Sequence, residues 1–370
     1  MISATGRWEN YILQEGDDLA HFWEQHFKTR KRSVLFVLAR GFDPRMCLGL
    51  EQLSKVHDEG EMDICLVEFD EGISSPSNRH RDLVEANLNK LKELASTNKT
   101  LLNRPVRMLS DDRRRVGSYN AASVFSMAED IAKYDDIVVD VSAMPRSIFF
   151  PLVSKLLFLI DANTKRPNLH ILVFEDSRLD SAIKDVGVDD AADFLHPFRG
   201  GVDMESTAGH PKVWLPLLGE GQQTQLTKIY DLIIPDEISP VLPSPAVDPR
   251  RADNLIQEYR DLLFDRLRIE PRNLIYVSER NPFEVYRQLR QAILHFRQAL
   301  MPLGGCKTVL SALSSKLMSL GALIVAYELK QASIDISIAH VESYGYNLES
   351  DCPVGGRLSS MLLTGEYYEG

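Results

Sequence analysis

The chain has 370 residues, 44% of them hydrophobic and 26% charged, with a formal net charge of −11. The length suggests about two domains at roughly 150 residues each, and the composition is that of a globular protein. The acidic balance argues against an extended nucleic-acid-binding surface, and no run reaches the ~18 apolar residues that span a bilayer. Residues Met1 to Glu15 lack the basic-then-apolar order of a signal peptide. Cys47, Cys65, Cys306 and Cys352 form no CxxC pair and have no metal-finger spacing. A cytoplasmic chain with reduced core thiols and no membrane association is therefore expected.

Residues 16 to 28 read as a helix, within an N-terminal helical segment over 1–30. The run Ser33–Ala39 (SVLFVLA) is continuous and apolar, as a strand buried on both faces of a parallel sheet is. Gly41–Arg45 interrupts it, and a helix follows to about Val56. Further strands are predicted near Asp63–Glu68, Val106–Leu109, Ile137–Val141 and Leu169–Phe174. Between them helices are predicted near Arg81–Ala95, Ser118–Lys133 and Arg146–Ile160. Strands alternating with helices imply crossover connections and a parallel sheet. This gives a first Rossmann-like domain over 31–176.

Residues 177–211 read as an irregular connector, and 212–340 repeat the alternation. Strands are predicted near Val213–Leu217, Ser239–Leu242, Leu274–Val277, Lys307–Leu310 and Ile334–Ala339. Helices are predicted near Gln222–Ile233, Arg251–Leu267, Pro282–Ala299 and Ser315–Leu329. Residues 341–370 lack clear periodicity and read as a C-terminal tail. The fold class is thus α/β: two tandem Rossmann-like domains with mainly parallel sheets, and an internal duplication. Short echoes after corresponding strands point the same way, such as Met108–Asp111 with Tyr276–Glu279.

Open parallel sheets bind ligands beyond the carboxyl ends of their strands. Two loops there carry chemistry. In Arg40-Gly41-Phe42-Asp43-Pro44-Arg45, Gly41 suits a tight turn, Pro44 a first helical turn and Asp43 a cap. Arg40 and Arg45 can meet a phosphate, although solvated arginines around an ordinary cap fit the same residues. In Asp140-Val141-Ser142-Ala143-Met144-Pro145-Arg146, a polar strand end is followed by a hydroxyl, then a helix start with a cation. Free N–H groups and the helix dipole favour an anion there. Ser142 can donate to a phosphate or ribose oxygen, Arg146 supplies bidentate donors, and Asp140 can orient Ser142. A simple cap with a surface charge is the plainer alternative.

Asp140–Arg146 fits D-x-S-x-x-x-R and resembles the signature after the fourth strand of CARF domains, Rossmann-like sensors of cyclic oligonucleotides in prokaryotic defence. That resemblance implies a second ligand-contacting loop after the first strand, which here is Arg40–Arg45. In the second half, Leu310-Ser311-Ala312-Leu313-Ser314-Ser315-Lys316 keeps the terminal cation, with Ser314 beside it. Leu310 replaces the Asp and Ala312 the hydroxyl, so a symmetric site is not implied. A tandem pair in one chain is similar to the fused arrangement of SAVED domains.

Arg113, within Arg113-Arg114-Arg115, follows the third strand and can reach the same face, as can Tyr119. Glu220, Glu279, Arg280 and Tyr286 hold comparable places in the second half. Arg290–His295 has the R-x4-H spacing of HEPN ribonucleases but lies on a helix after a Rossmann strand, which disfavours a nuclease. No GxGxxG, Walker A lysine or GxSxG elbow is present, and no His or Cys cluster has metal spacing. No cofactor or metal is therefore expected.

The resulting expectation is a sensor that binds a nucleotide or cyclic oligonucleotide and signals to a separate effector protein in antiviral defence. One alternative is a nucleotide-processing enzyme, a phosphodiesterase or glycosidic-bond hydrolase, with Asp43 and Asp140 as candidate bases and Arg146 stabilising charge. The other is an adaptor subunit of a defence complex whose clefts bind nothing.

Overall fold

The computed structural model describes residues 5–57, 60–72, 75–95, 99–201, 209–350 and 354–368. Cys352 lies outside them. The chain divides into two compact units, one of Tyr11–Gly187 with Ser343–Gly370, the other of Met1–Asn10 with Val188–Glu342. The protein is α/β, and most strands in both large sheets are parallel.

The first unit opens with β1 (Ile12–Glu15) and α1 (Gly16–Lys28). Then come β2 (Val34–Ala39), α2 (Leu48–Ser54), β3 (Met62–Asp70), α3 (Arg81–Leu94), β4 (Lys99–Arg107) and α4 (Gly117–Ala122). The alternation ends with β5 (Asp136–Asp140), α5 (Arg146–Asp161) and β6 (Asn168–Glu175). Every residue of β2 and β5 is buried, as both-face coverage of a parallel sheet requires. Past β6 the unit adds α6 (Ser177–Ala182) and β7 (Ile183–Asp185), within the stretch expected to be irregular.

The second unit contains β8 (Asp193–Phe194), β9 (Lys212–Leu217), α7 (Gln223–Ile233), β10 (Glu237–Ile238), β11 (Val241–Pro243) and α8 (Arg251–Glu258). It continues with β12 (Ile275–Val277), α9 (Pro282–Ala299), β13 (Lys307–Ala312), α10 (Lys316–Gln331) and β14 (Ile336–His340). The chain then returns to the first unit as β15 (Tyr346–Leu348) and β16 (Arg357–Thr364).

The first sheet runs β1-β16-β6-β5-β2-β3-β4 and the second β12-β11-β9-β13-β14-β8. Numbered within each unit, the five parallel strands stand in the same order, 3-2-1-4-5. These are five of the six strands of a doubly wound sheet of order 3-2-1-4-5-6, with its switch point between the first and fourth strands. In the first unit this point lies between β2 and β5, which pair in parallel from Val34↔Asp136 to Val37↔Val139.

Further stretches differ from expectation. Residues 341–370 form strands where a tail was expected. β16 pairs antiparallel with β6 over Arg357↔Glu175 to Thr364↔Leu169, and its apolar residues are buried. The third strand begins at Lys99 rather than Val106. As the sheet edge it buries only Val106, so its first seven residues carry no apolar signature. No helix among the described residues is long and apolar enough to cross a membrane. Cys47, Cys65 and Cys306 are buried free thiols, and burial pushes Cys47 up to about 11 and Cys65 up to about 12.

Candidate functional site

The loops after β2 and β5 lie at the switch point of the first unit's sheet. Arg40 is half exposed and pairs with Glu68 at 3.1 Å. Gly41 and Asp43 are held from the next crossover, because Asn87 Nδ2 donates to both their carbonyls at 2.9 Å. Gly41 does not take a left-handed φ, and a Cβ on it would meet nothing closer than 4.0 Å. The turn therefore does not require glycine there.

Asp43 and Arg45 are buried together. Asp43 Oδ1 accepts from the Arg45 backbone N–H and from Nε, both at 2.9 Å, and Oδ2 accepts from Nη2 at 2.7 Å. The remaining arm of the guanidinium, Nη1, donates to Asp180 Oδ1 on α6 at 2.6 Å. Burial disfavours the Arg45 charge, but the pairs with Asp43 and Asp180 outweigh it and raise the pKa above the ordinary arginine value. Asp43 is thus committed to Arg45 and shapes the turn, whose first helical residue is Leu48, three residues beyond Arg45.

In the second loop, Asp140 Oδ1 accepts from the Ser142 N–H at 2.9 Å. Ser142 Oγ accepts from the Phe174 N–H at 2.7 Å, so this hydroxyl ties the loop to β6. Asp140 Oδ2 approaches Gly49 so closely that a Cβ there would lie 2.3 Å from it. Gly49 was not singled out in the sequence, yet it is what lets α2 pack against the Asp140 carboxylate.

Arg146 opens the sixteen-residue helix α5 and is partly buried. Burial lowers its pKa, and the nearby Tyr346, Asp185 and Asp180 partly offset that; it remains a cation at neutral pH. These neighbours come from α6, β7 and β15, where Tyr346 stands opposite Asp185 in the antiparallel pair. Sequence reading missed all three. Nothing local marks them, since β7 and β15 pair across about 160 residues of chain. Arg113 lies in an exposed turn between Ser110 and Arg114, with φ +61°. Tyr119 is exposed on α4.

In the second unit, Ser314 is buried with Oγ 3.0 Å from the Met318 sulfur, and Ser315 caps the helix that Lys316 opens. Beyond β9 and β12, Arg251 Nε and Nη2 donate to Glu220 at 2.7 and 2.8 Å, and Nη1 bonds Glu279. The two acidic strand-end residues are thus bridged by an arginine that the sequence marked only as a helix start. Tyr286 is buried, and its hydroxyl bonds Glu328. Arg290 donates to the same carboxylate at 3.2 Å, a packing role on the buried side of α9.

No family model matches this chain, and no curated protein matches it. Three solved structures share partial likeness. A deacetylase complex from the teicoplanin biosynthesis pathway is 12% identical, with a TM-score of 0.25 over 45% of this chain and 78% of its own. A universal stress protein from Archaeoglobus fulgidus is 10% identical, with a TM-score of 0.23 over 82% and 95%. A NadR protein in complex with NAD and AMP-PNP is 10% identical, with a TM-score of 0.25 over 84% and 92%.

Proposed function

We propose that the first unit is a nucleotide-binding sensor whose strand-end loops take an anionic ligand at the amino end of α5. The observation that carries this reading is the surroundings of Arg146. A cation at the first turn of a long helix, beside the Asp140–Ser142 loop, faces acidic groups supplied by α6 and β7. Helix dipole and guanidinium both favour an anion, and the charges of Asp180 and Asp185 stand in for one. A phosphorylated ligand competes with those carboxylates for Arg146 and, on binding, releases α6 and β7. Such a release couples binding to a conformational signal, provided the ligand prefers the released arrangement. The D-x-S-x-x-x-R resemblance makes cyclic oligonucleotides the first ligands to try, and the signal passes to a separate effector in antiviral defence.

The adaptor reading draws on the same surroundings, since a cation whose charge is offset by the chain's own acids needs no ligand. The hydrolase reading is weaker, because Asp43 is bound on both oxygens by Arg45.

A thermal-shift screen of the full chain against cyclic oligonucleotides, cyclic mononucleotides, NAD and ATP separates these. The sensor reading expects a rise of a few degrees with one ligand class at ~100 times its Kd, lost in Arg146→Ala. Product analysis of the same sample detects hydrolysis. No shift with any nucleotide favours the adaptor.

A further inference from the structure

We propose that His26, Asp136 and His170 form a binding site for a divalent transition metal of the zinc type. They lie at the amino ends of the strands, at the opposite end of the sheet from the loops described above. His26 comes from the last turn of α1, Asp136 begins β5 and His170 is the third residue of β6. All three side chains are shielded from solvent, at 0%, 0% and 1% exposure. One ligand atom from each lies within 4.8 Å of the others. His26 Nε2 is 2.8 Å and His170 Nε2 3.4 Å from the same oxygen, Asp136 Oδ1.

A second observation points to a missing ligand. Neither ring nitrogen of His170 makes a hydrogen bond, although the residue is buried. Buried polar atoms are satisfied in the great majority of cases, and an exception calls for an unseen partner. Here Nε2 is directed at the carboxylate yet stops at 3.4 Å, without hydrogen-bond geometry. Tetrahedral zinc with bonds of about 2.0–2.1 Å keeps neighbouring ligand atoms roughly 3.3 Å apart. The His170–Asp136 separation already matches that edge, and the His26–Asp136 pair needs to open by about half an ångström.

The outer contacts are those a metal site needs. His26 Nδ1 meets the Tyr367 hydroxyl at 3.0 Å, which orients the ring with Nε2 inward. Asn168 Nδ2 donates to Asp136 Oδ1 at 2.8 Å, and Arg32 Nη1 donates to Oδ2 at 3.4 Å. Such partners fix ligand orientation. Arg32 in turn bonds Glu366, whose charge offsets the guanidinium beside the site. Two imidazoles and one carboxylate suit zinc or its neighbours rather than magnesium or calcium. The metal would clamp α1, β5 and β6 together.

The test uses the full chain, stripped with a chelator and titrated with Co(II) and, separately, Zn(II). The expected result is one Co(II) per chain with the visible bands of a tetrahedral site, and a rise of several degrees in Tm with Zn(II). His170→Gln, checked for native circular dichroism, is expected to lose both. If that variant does not fold, the Co(II) spectrum of the wild-type chain decides. No tetrahedral Co(II) spectrum in the wild type overturns the proposal, as does a Zn(II) shift that persists in folded His170→Gln. The site would then be a buried hydrogen-bonded cluster.

Discussion

Arg45 Nη1 lies 2.6 Å from Asp180 Oδ1, while the other edge of the same guanidinium is gripped by both oxygens of Asp43. The two acids are not equivalent. Asp43 is buried with Arg45, whereas the Asp180 side chain is 55% exposed. Removing Asp43 takes the buried carboxylate from a buried cation and leaves that edge of the guanidinium unpaired, which typically costs about 3 kcal/mol. Removing Asp180 loses one partner at the solvent boundary, worth about 1 kcal/mol or less. Urea unfolding of Asp43→Ala and Asp180→Ala is expected to show that order. Equal losses would mean that Asp180 is as integral to the fold as Asp43.

The two glycines of the site make opposite predictions. Gly41→Ala is expected to change stability by no more than about 0.5 kcal/mol, since its φ is not left-handed and its surroundings are open. Gly49→Ala gains about 1 kcal/mol of helix propensity. It also forces a Cβ to 2.3 Å from Asp140 Oδ2, and overpacking of that kind costs about 1–3 kcal/mol. A lower Tm for Gly49→Ala but not for Gly41→Ala is the expected outcome of thermal melts. A rise in both would show that the carboxylate yields freely.

The contrast between these glycines reflects what a sequence carries. Long apolar elements are legible: α9 runs Pro282–Ala299 as its pattern predicts, and β2 departs by one residue. The loops of the site are legible too, because strand ends and helix starts place Asp140, Ser142 and Arg146 without any long-range information. What surrounds them is not. Asp185 and Tyr346 come near Arg146 through a short strand pair closed across about 160 residues, and Asp180 from α6 just before it. β16 hides behind the serines at its centre, Ser359 and Ser360, which are polar yet buried. α4 ends at Ala122, far short of the expected Lys133, because Ser123 to Met127 turn before Ala128.

Asp176 provides a pH-dependent check. Its carboxylate caps α6 by accepting from the Arg178 N–H at 3.1 Å, and it accepts from the Gly355 N–H at 2.8 Å just before β16. Burial disfavours the charge, but the N–H groups of Gly355, Arg178 and Leu179 outweigh it, so the folded pKa lies below the ordinary value. A depressed carboxyl pKa contributes stability above the unfolded value of about 3.9, and that contribution is lost as pH falls through the folded value. Asp176→Ala is therefore expected to cost about 1–2 kcal/mol at pH 7, with the gap to wild type closing below about pH 4. A gap that stays constant down to pH 2.5 would assign the loss to packing instead.

The sensor reading makes its sharpest prediction at Asp185. This residue is exposed, accepts from Ser343 Oγ at 2.8 Å and acts on Arg146 through its charge. Asp185→Asn keeps the shape and the strand pairing, so its cost to stability is expected to stay within about 0.5 kcal/mol. It removes one of the charges that an anionic ligand must displace from Arg146. A competitor worth about 1 kcal/mol, once removed, tightens apparent binding roughly fivefold, because more of the protein is already competent to bind. Isothermal titration of wild type, Asp185→Asn and Asp180→Asn with the nucleotide found in the screen is expected to show tighter binding in both variants and none in Arg146→Ala. Weaker binding in Asp185→Asn would mean that the acid contacts the ligand, for example at a ribose hydroxyl, rather than competing with it.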